Sequence, residues 1–146
     1  MVASQERCHI INTSSMAGII VGPALAPYTT TKHAVVGLTR TLHEDLADND
    51  KVGVSVLCPG LVQTNIIERD HLGLDLDESS IDQHESAKNN AQWLADGVKE
   101  GMTPQDLATI VFNKIENDEF WILTHPEFVE VYSGYSTELI ESSTKE

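Results

Sequence analysis

Residues 8–58 read CHIINTSSMAGIIVGPALAPYTTTKHAVVGLTRTLHEDLADNDKVGVSVLC, and this stretch decides the fold class. The run CHIINT is short, apolar and β-branched, and it stops at the small polar pair Ser14-Ser15, as a buried strand does on reaching a functional rim. Glycines and prolines mark residues 18–27 as loop. From Pro27 the period changes. Ala34, Leu38, Leu42 and Leu46 recur every four residues and Asp48-Asn49-Asp50 closes the segment, which predicts a helix over residues 28–48. VGVSVL is a second buried strand, ended by Cys58-Pro59-Gly60 because proline has no N–H to give to a ladder.

Beyond it, residues 65–101 form a long, acidic, weakly patterned insertion of the kind that serves as a lid or binding loop, with one helix expected over residues 86–94. Thr103-Pro104-Gln105-Asp106 starts another helix: a hydroxyl cap, a proline in the first turn and an acid near the positive end of the dipole. Leu107, Val111 and Ile115 give that helix its apolar face. FWILT, residues 120–124, is a third strand, and the Ser/Thr/Glu-rich residues 134–146 are expected to be a weakly ordered tail. Strand, helix, strand, helix, strand predicts an α/β fold with a parallel sheet.

A formal net charge of −14 excludes the basic patch that nucleic acid or an anionic membrane surface would require as partner. No apolar run approaches the ~20 residues that cross a bilayer, and the first residues lack a signal-type apolar stretch, so a cytoplasmic location is the expectation. Cys8 starts one strand and Cys58 ends the next, about 17 Å apart for parallel neighbours, which predicts two reduced thiols. The six histidines are scattered without ligand spacing and predict no metal site. Trp93, Trp121 and Phe128 are expected to pack in the core or lid.

Tyr28 and Lys32 stand four apart at the start of a helix, on one face. Alone, such a pair arises by chance in roughly one chain in four of this length. The context is more specific. Ser15 ends one strand thirteen residues before Tyr28, and CPGLVQT ends the next, so three elements converge where open α/β sheets bind ligands.

The stretches IINTSSMAG (10–18), YTTTKHAVVGLTRTL (28–42) and VSVLCPGLVQTNI (54–66) resemble the short-chain dehydrogenase/reductase family in motif, order and spacing. The resemblance implies a partial Rossmann-type doubly wound parallel sheet made of the C-terminal strands and helices only. Residues 1–133 would be the catalytic C-terminal part, with a substrate lid over about 65–101. It implies an oxidoreductase interconverting a small-molecule alcohol and a carbonyl with NAD or NADP. Tyr28 would be the acid/base, Lys32 would assist it and hold the nicotinamide ribose, and Ser15 would bind the substrate oxygen. A free phenol has a pKa near 10, so a neighbouring cation and the helix N-terminus are the help it requires. Ser14 is the poorer candidate because alternation points it the other way. Pro59, Gly60, Val62 and Thr64 match the PGxVxT segment whose backbone and hydroxyl hold the nicotinamide end.

The family's Gly-rich phosphate turn has no counterpart: Gly18-Ile19-Ile20-Val21-Gly22 has the wrong spacing and position, and Asn12 does not replace the catalytic asparagine upstream of the serine. The chain is therefore expected to be the catalytic half of a longer enzyme. Two other readings stay open. One is a non-catalytic remnant or homo-oligomerisation module acting through the helix that starts at Tyr28. The other, a hydrolase using Ser15 with Lys32, lacks a nucleophile elbow. Ile66, Ile67, Leu72, Leu74 and Leu76 point to an apolar substrate.

Overall fold

The computed structural model describes residues 6–68 and 85–144. Three strands, β1 (Cys8–Thr13), β2 (Val52–Cys58) and β3 (Trp121–Leu123), form a parallel sheet in the order β1-β2-β3. The β1/β2 register runs from Cys8 opposite Val52 to Thr13 opposite Leu57, and Val56 to Cys58 pair with Trp121 to Leu123. β2 is buried on both faces: Val54, Val56 and Cys58 on one, Ser55 and Leu57 on the other. That is why its sequence is a continuous apolar run rather than an alternation. β1, at the margin of the sheet, is only half-buried.

The crossover helix α1 (Ala26–Asp45) begins two residues before the expected start. Pro27 fits its first turn because the N–H it lacks would have no partner there. The packing face also differs from the sequence expectation. Val35, Val36 and Thr39 turn inward, while Ala34 and Leu38 of the four-residue row face out, Leu38 being 65% exposed. Asn12 and Thr39 decide this: the Thr39 hydroxyl donates to the Val35 carbonyl at 2.6 Å and accepts from Asn12 Nδ2 at 3.1 Å, locking a polar pair between β1 and α1. A satisfied buried pair sets the rotation of the helix as firmly as an apolar stripe does.

A short 3-10 turn, Met16–Gly18, presses on α1. A Cβ on Gly18 would meet Ser14 Oγ at 2.3 Å and the Lys32 carbonyl oxygen at 2.8 Å, so only glycine allows this approach. The core gathers Met16, Ile19, Val56, Cys58 and Phe120, flanked by Val36, Leu123 and Phe128.

Helix α2 (Glu85–Glu100) extends the expected helix by about two turns, nearly all at its C-terminal end, and residues 69–84 of the expected lid, including Leu72, Leu74 and Leu76, lie outside the described residues. Helix α3 (Pro104–Glu116) starts as expected, its Asp106 N–H donating to Thr103 Oγ1 at 3.2 Å. Further expectations fail. Trp93 on α2 is 57% exposed and Trp121 on β3 is 38% exposed, rather than packed. Residues 134–144 belong to a helix, α4 (Val129–Thr144), instead of a weakly ordered tail. Its hydroxyls, including Ser136, Thr137 and Ser142, donate to carbonyls four residues back, so they join the helical ladder rather than compete with it. No described helix is long and apolar enough to cross a membrane.

Candidate active site

The carboxyl end of β1 delivers two adjacent serines to different surroundings. Ser14 is 2% exposed and its hydroxyl donates to the Lys32 carbonyl at 2.8 Å, tying the strand end to α1. Ser15 is half-buried, and its Oγ accepts the Ala17 N–H at 3.1 Å, capping the 3-10 turn. That bond uses an oxygen lone pair and leaves the Ser15 proton to donate elsewhere.

Tyr28 sits in the first turn of α1 and is 38% exposed. One turn on, the Lys32 ammonium stands 5.6 Å from the Tyr28 ring centroid and donates to the Thr13 carbonyl at 3.5 Å. Lys32 thus joins the tyrosine to the end of β1 from the edge of its own helix.

Beneath them lies Cys58, fully buried. Burial pushes its thiol up to about 11, against the Ser15 backbone N–H, the Ser14 hydroxyl and the Lys32 charge, which all pull it down. A thiol held so far from ionising is inert packing, and both cysteines are free, as expected.

The turn after β2 continues the rim. The Pro59 carbonyl accepts the Met16 N–H at 2.9 Å, which sets this turn beside Ser15. Gly60 N–H donates to Thr124 Oγ1 at 3.0 Å. Val62 is buried and forms a parallel bridge with Met102, in which Met102 N–H donates to Leu61 O at 3.0 Å and Gln63 N–H to Met102 O at 2.9 Å. These bonds spare the N–H and C=O of Val62, which by strand geometry project to the other side. Gln63 Nε2 adds a bond to the Gly101 carbonyl at 2.9 Å, beside the Val62–Met102 bridge.

Thr64 is exposed and lines an open cleft of about 360 Å³ with Gln63, Asn65, Ile67, Val98 and Lys99. Ile66 points to solvent, 64% exposed. A smaller cavity, about 180 Å³, lies at the opposite end of the sheet against Arg7, Asn49, Val52 and Asp118, away from all the candidate residues. Sequence reasoning missed Thr124 and His125, which touch the Gly60 turn. Their place at the carboxyl end of the third strand was the available signal.

The chain is similar to known proteins throughout this region. Residues 1–73 match the sequence profile of the short chain dehydrogenase family. A CLA biosynthesis dehydrogenase/reductase of Lactiplantibacillus plantarum is 30% identical over 132 residues, 88% of this chain and 46% of that protein. A 1-deoxy-11-beta-hydroxypentalenate dehydrogenase of Streptomyces avermitilis is 31% identical over 87% of this chain and 39% of its own length. The crystal structure of a short chain dehydrogenase/reductase from Burkholderia phymatum in complex with NAD matches with a TM-score of 0.82 and 34% identity, over 95% of this chain and 51% of that one. The chain therefore spans about two fifths to one half of the length of these relatives. With half of its sequence fitting the family profile and nearly all of its backbone fitting a solved member, the chain belongs to the short chain dehydrogenase family.

Proposed function

We propose that this chain is the catalytic portion, residues 1–133 with the lid at about 65–101, of a nicotinamide-dependent oxidoreductase that interconverts a small alcohol and a carbonyl. The observation that carries the reading is Lys32, whose ammonium reaches both the Tyr28 ring and the Thr13 carbonyl one residue before the serine pair. Tyr28 is the proton donor to a carbonyl oxygen, or the acceptor from an alcohol. Lys32 supplies positive charge beside the Tyr28 ring, which favours the phenolate left when the Tyr28 hydroxyl gives up its proton. Ser15, with its proton uncommitted to the turn it caps, donates to the same substrate oxygen and orients it.

The donor set fits a nicotinamide. Val62 offers one N–H and one C=O, as an amide ligand requires, Lys32 offers a cation for ribose hydroxyls, and Pro59, Gly60 and Thr64 frame the approach. When bound, such a cofactor, NAD or NADP, supplies or takes up the hydride, and the residues named here hold the substrate and move the proton. The NAD-bound relative supports this cofactor class.

A second element of the reading is homo-oligomerisation through α1, supported by the outward row of Ala34 and Leu38. The catalytic assignment is tested by fusing the chain behind the N-terminal half of a family relative and assaying NAD- and NADP-linked oxidation of secondary alcohols. Activity that disappears with Tyr28→Phe is the expected result. Equal activity in both proteins would remove Tyr28 from the mechanism.

A further inference from the structure

Thr124 and His125 take no part in the reaction as described, yet they close on the turn that would face the cofactor. Thr124 is 9% exposed. Its Oγ1 accepts the Gly60 N–H at 3.0 Å and lies 2.6 Å from His125 Nδ1. A hydroxyl has one proton, and an oxygen already accepting from Gly60 is free to donate it to Nδ1, which leaves the imidazole proton on Nε2. The ring edge lies against Gly60: a Cβ there would come within 2.4 Å of Nδ1, 2.6 Å of Cγ and 2.8 Å of Cε1. Glycine is therefore what admits the ring, and Nε2, on the far edge of the imidazole, points away from the turn. Phe128 flanks the histidine with ring centroids 6.1 Å apart.

We propose that His125, held by Thr124, is a positioning residue that braces the Pro59–Gly60 turn and so aims the Val62 N–H and C=O at the nicotinamide. The inference rests on the reading of residues 59–64 as the nicotinamide-facing segment. The turn is held at three points: Pro59 O by Met16, Leu61 O by Met102, and Gly60 N–H by Thr124. The first two are backbone bonds from neighbouring loops. The third is the side-chain tie, and His125 fixes the rotation of the Thr124 hydroxyl from which it hangs. Because Gly60 N–H is consumed by this tie, the donor left for a ligand is that of Val62, two residues on, whose direction follows the turn. A shift of about 1 Å in such a group is enough to cost binding or rate by one to two orders of magnitude.

The test uses the 146-residue chain with nicotinamide mononucleotide, which carries the ring and ribose without the adenylate half, followed by amide chemical shifts in NMR. Long-range proton–nitrogen spectra are expected to show the His125 proton on Nε2. The Val62 amide is expected to move on titration. His125→Ala is expected to weaken the mononucleotide about tenfold. His125→Asn, whose Oδ1 keeps an acceptor near the Nδ1 position, should bind within about threefold of the parent, and Thr124→Val should behave like His125→Ala. A folded His125→Ala chain that binds like the parent overturns the brace and leaves the nicotinamide reading intact. A parent chain whose Val62 amide does not respond overturns both, and a proton found on Nδ1 overturns the tie. If His125→Ala does not fold, equal binding by His125→Asn and Thr124→Val overturns the proposal.

Discussion

The Ser14 hydroxyl donates to the Lys32 carbonyl at 2.8 Å, so the residue beside the candidate catalytic serine is spent on joining β1 to the helix that carries the candidate lysine. The two neighbouring serines therefore separate by phenotype. Ser14→Ala is expected to cost about 1 kcal/mol of stability, read as a lower urea midpoint with an unchanged slope. Ser15→Ala loses the cap on the Ala17 N–H and should cost a comparable amount, about 1 kcal/mol, but in the enzyme fused to an N-terminal half it is the one of the two that should lower kcat. A fall in kcat with Ser14→Ala alone would assign the catalytic role to Ser14.

Tyr28 and Lys32 separate by kinetics in the same fused enzyme. Tyr28→Phe removes the proton-transfer group alone, so kcat should fall at least on the order of 100-fold with cofactor binding nearly unchanged. Lys32→Ala should damage both, since the lysine is assigned to the ribose as well. Fluorescence titration with NADH and NADPH checks the binding arm, and unchanged cofactor affinity in Lys32→Ala would remove the ribose contact.

His9 ties the far end of the sheet. Its Nε2 lies 2.7 Å from Ser55 Oγ, Ser55 donates to the Glu119 carbonyl at 2.6 Å, and Nδ1 faces Asp118 at 3.7 Å, with Arg7 paired to the same aspartate. Burial lowers the His9 pKa from 6.5, opposed by Asp118 and aided by Arg7. A depressed native pKa means the unfolded chain binds the proton more readily, so the His9 contribution to stability is full above pH 6.5 and fades as pH falls through the native value. Urea midpoints should therefore drop on acidification below 6.5, and His9→Gln, which keeps a donor for Ser55, should flatten that drop. The same acid loss in both chains would place its origin elsewhere.

Gly18 admits no side chain. A Cβ at 2.3 Å from Ser14 Oγ and 2.8 Å from the Lys32 carbonyl oxygen would force the 3-10 turn off α1. Gly18→Ala is expected to destabilise by about 2 kcal/mol or more, whereas Gly37→Ala, on a helix with nothing near its Cβ, should be neutral or stabilising. Thermal melts of the two variants decide it.

The 146-residue chain is expected to self-associate and to bind whole NADH or NADPH poorly. β1 ends the sheet among the described residues, and Leu38 stands 65% exposed on α1. Strand edges and apolar rows of this kind find partners. Light scattering should show a mass above the monomer, reduced by Leu38→Glu. Micromolar cofactor affinity in a monodisperse monomer would show that residues 59–64 and Lys32 suffice alone.

The element order up to β3, the parallel sheet and the residues proposed for the site could be read from local chemistry. A β-branched run ending in Ser14-Ser15, the Pro27 start, the Pro59-Gly60 stop and the Thr103 cap are each decided by residues within a few positions of one another. Tyr28 and Lys32 share a face by helix period alone. The tertiary structure decided what spacing leaves open. The row of Ala34 and Leu38 satisfies the same periodicity whether it faces in or out, and the buried bond between Asn12 and Thr39, 27 residues apart, turns it outward. The division of labour between Ser14 and Ser15 depends on a carbonyl eighteen residues away. The closure of Thr124 and His125 on Gly60 joins positions 64 residues apart. Contacts of that length belong to the folded chain, because a one-dimensional pattern records which residues prefer burial but not which partner, on which strand, satisfies them.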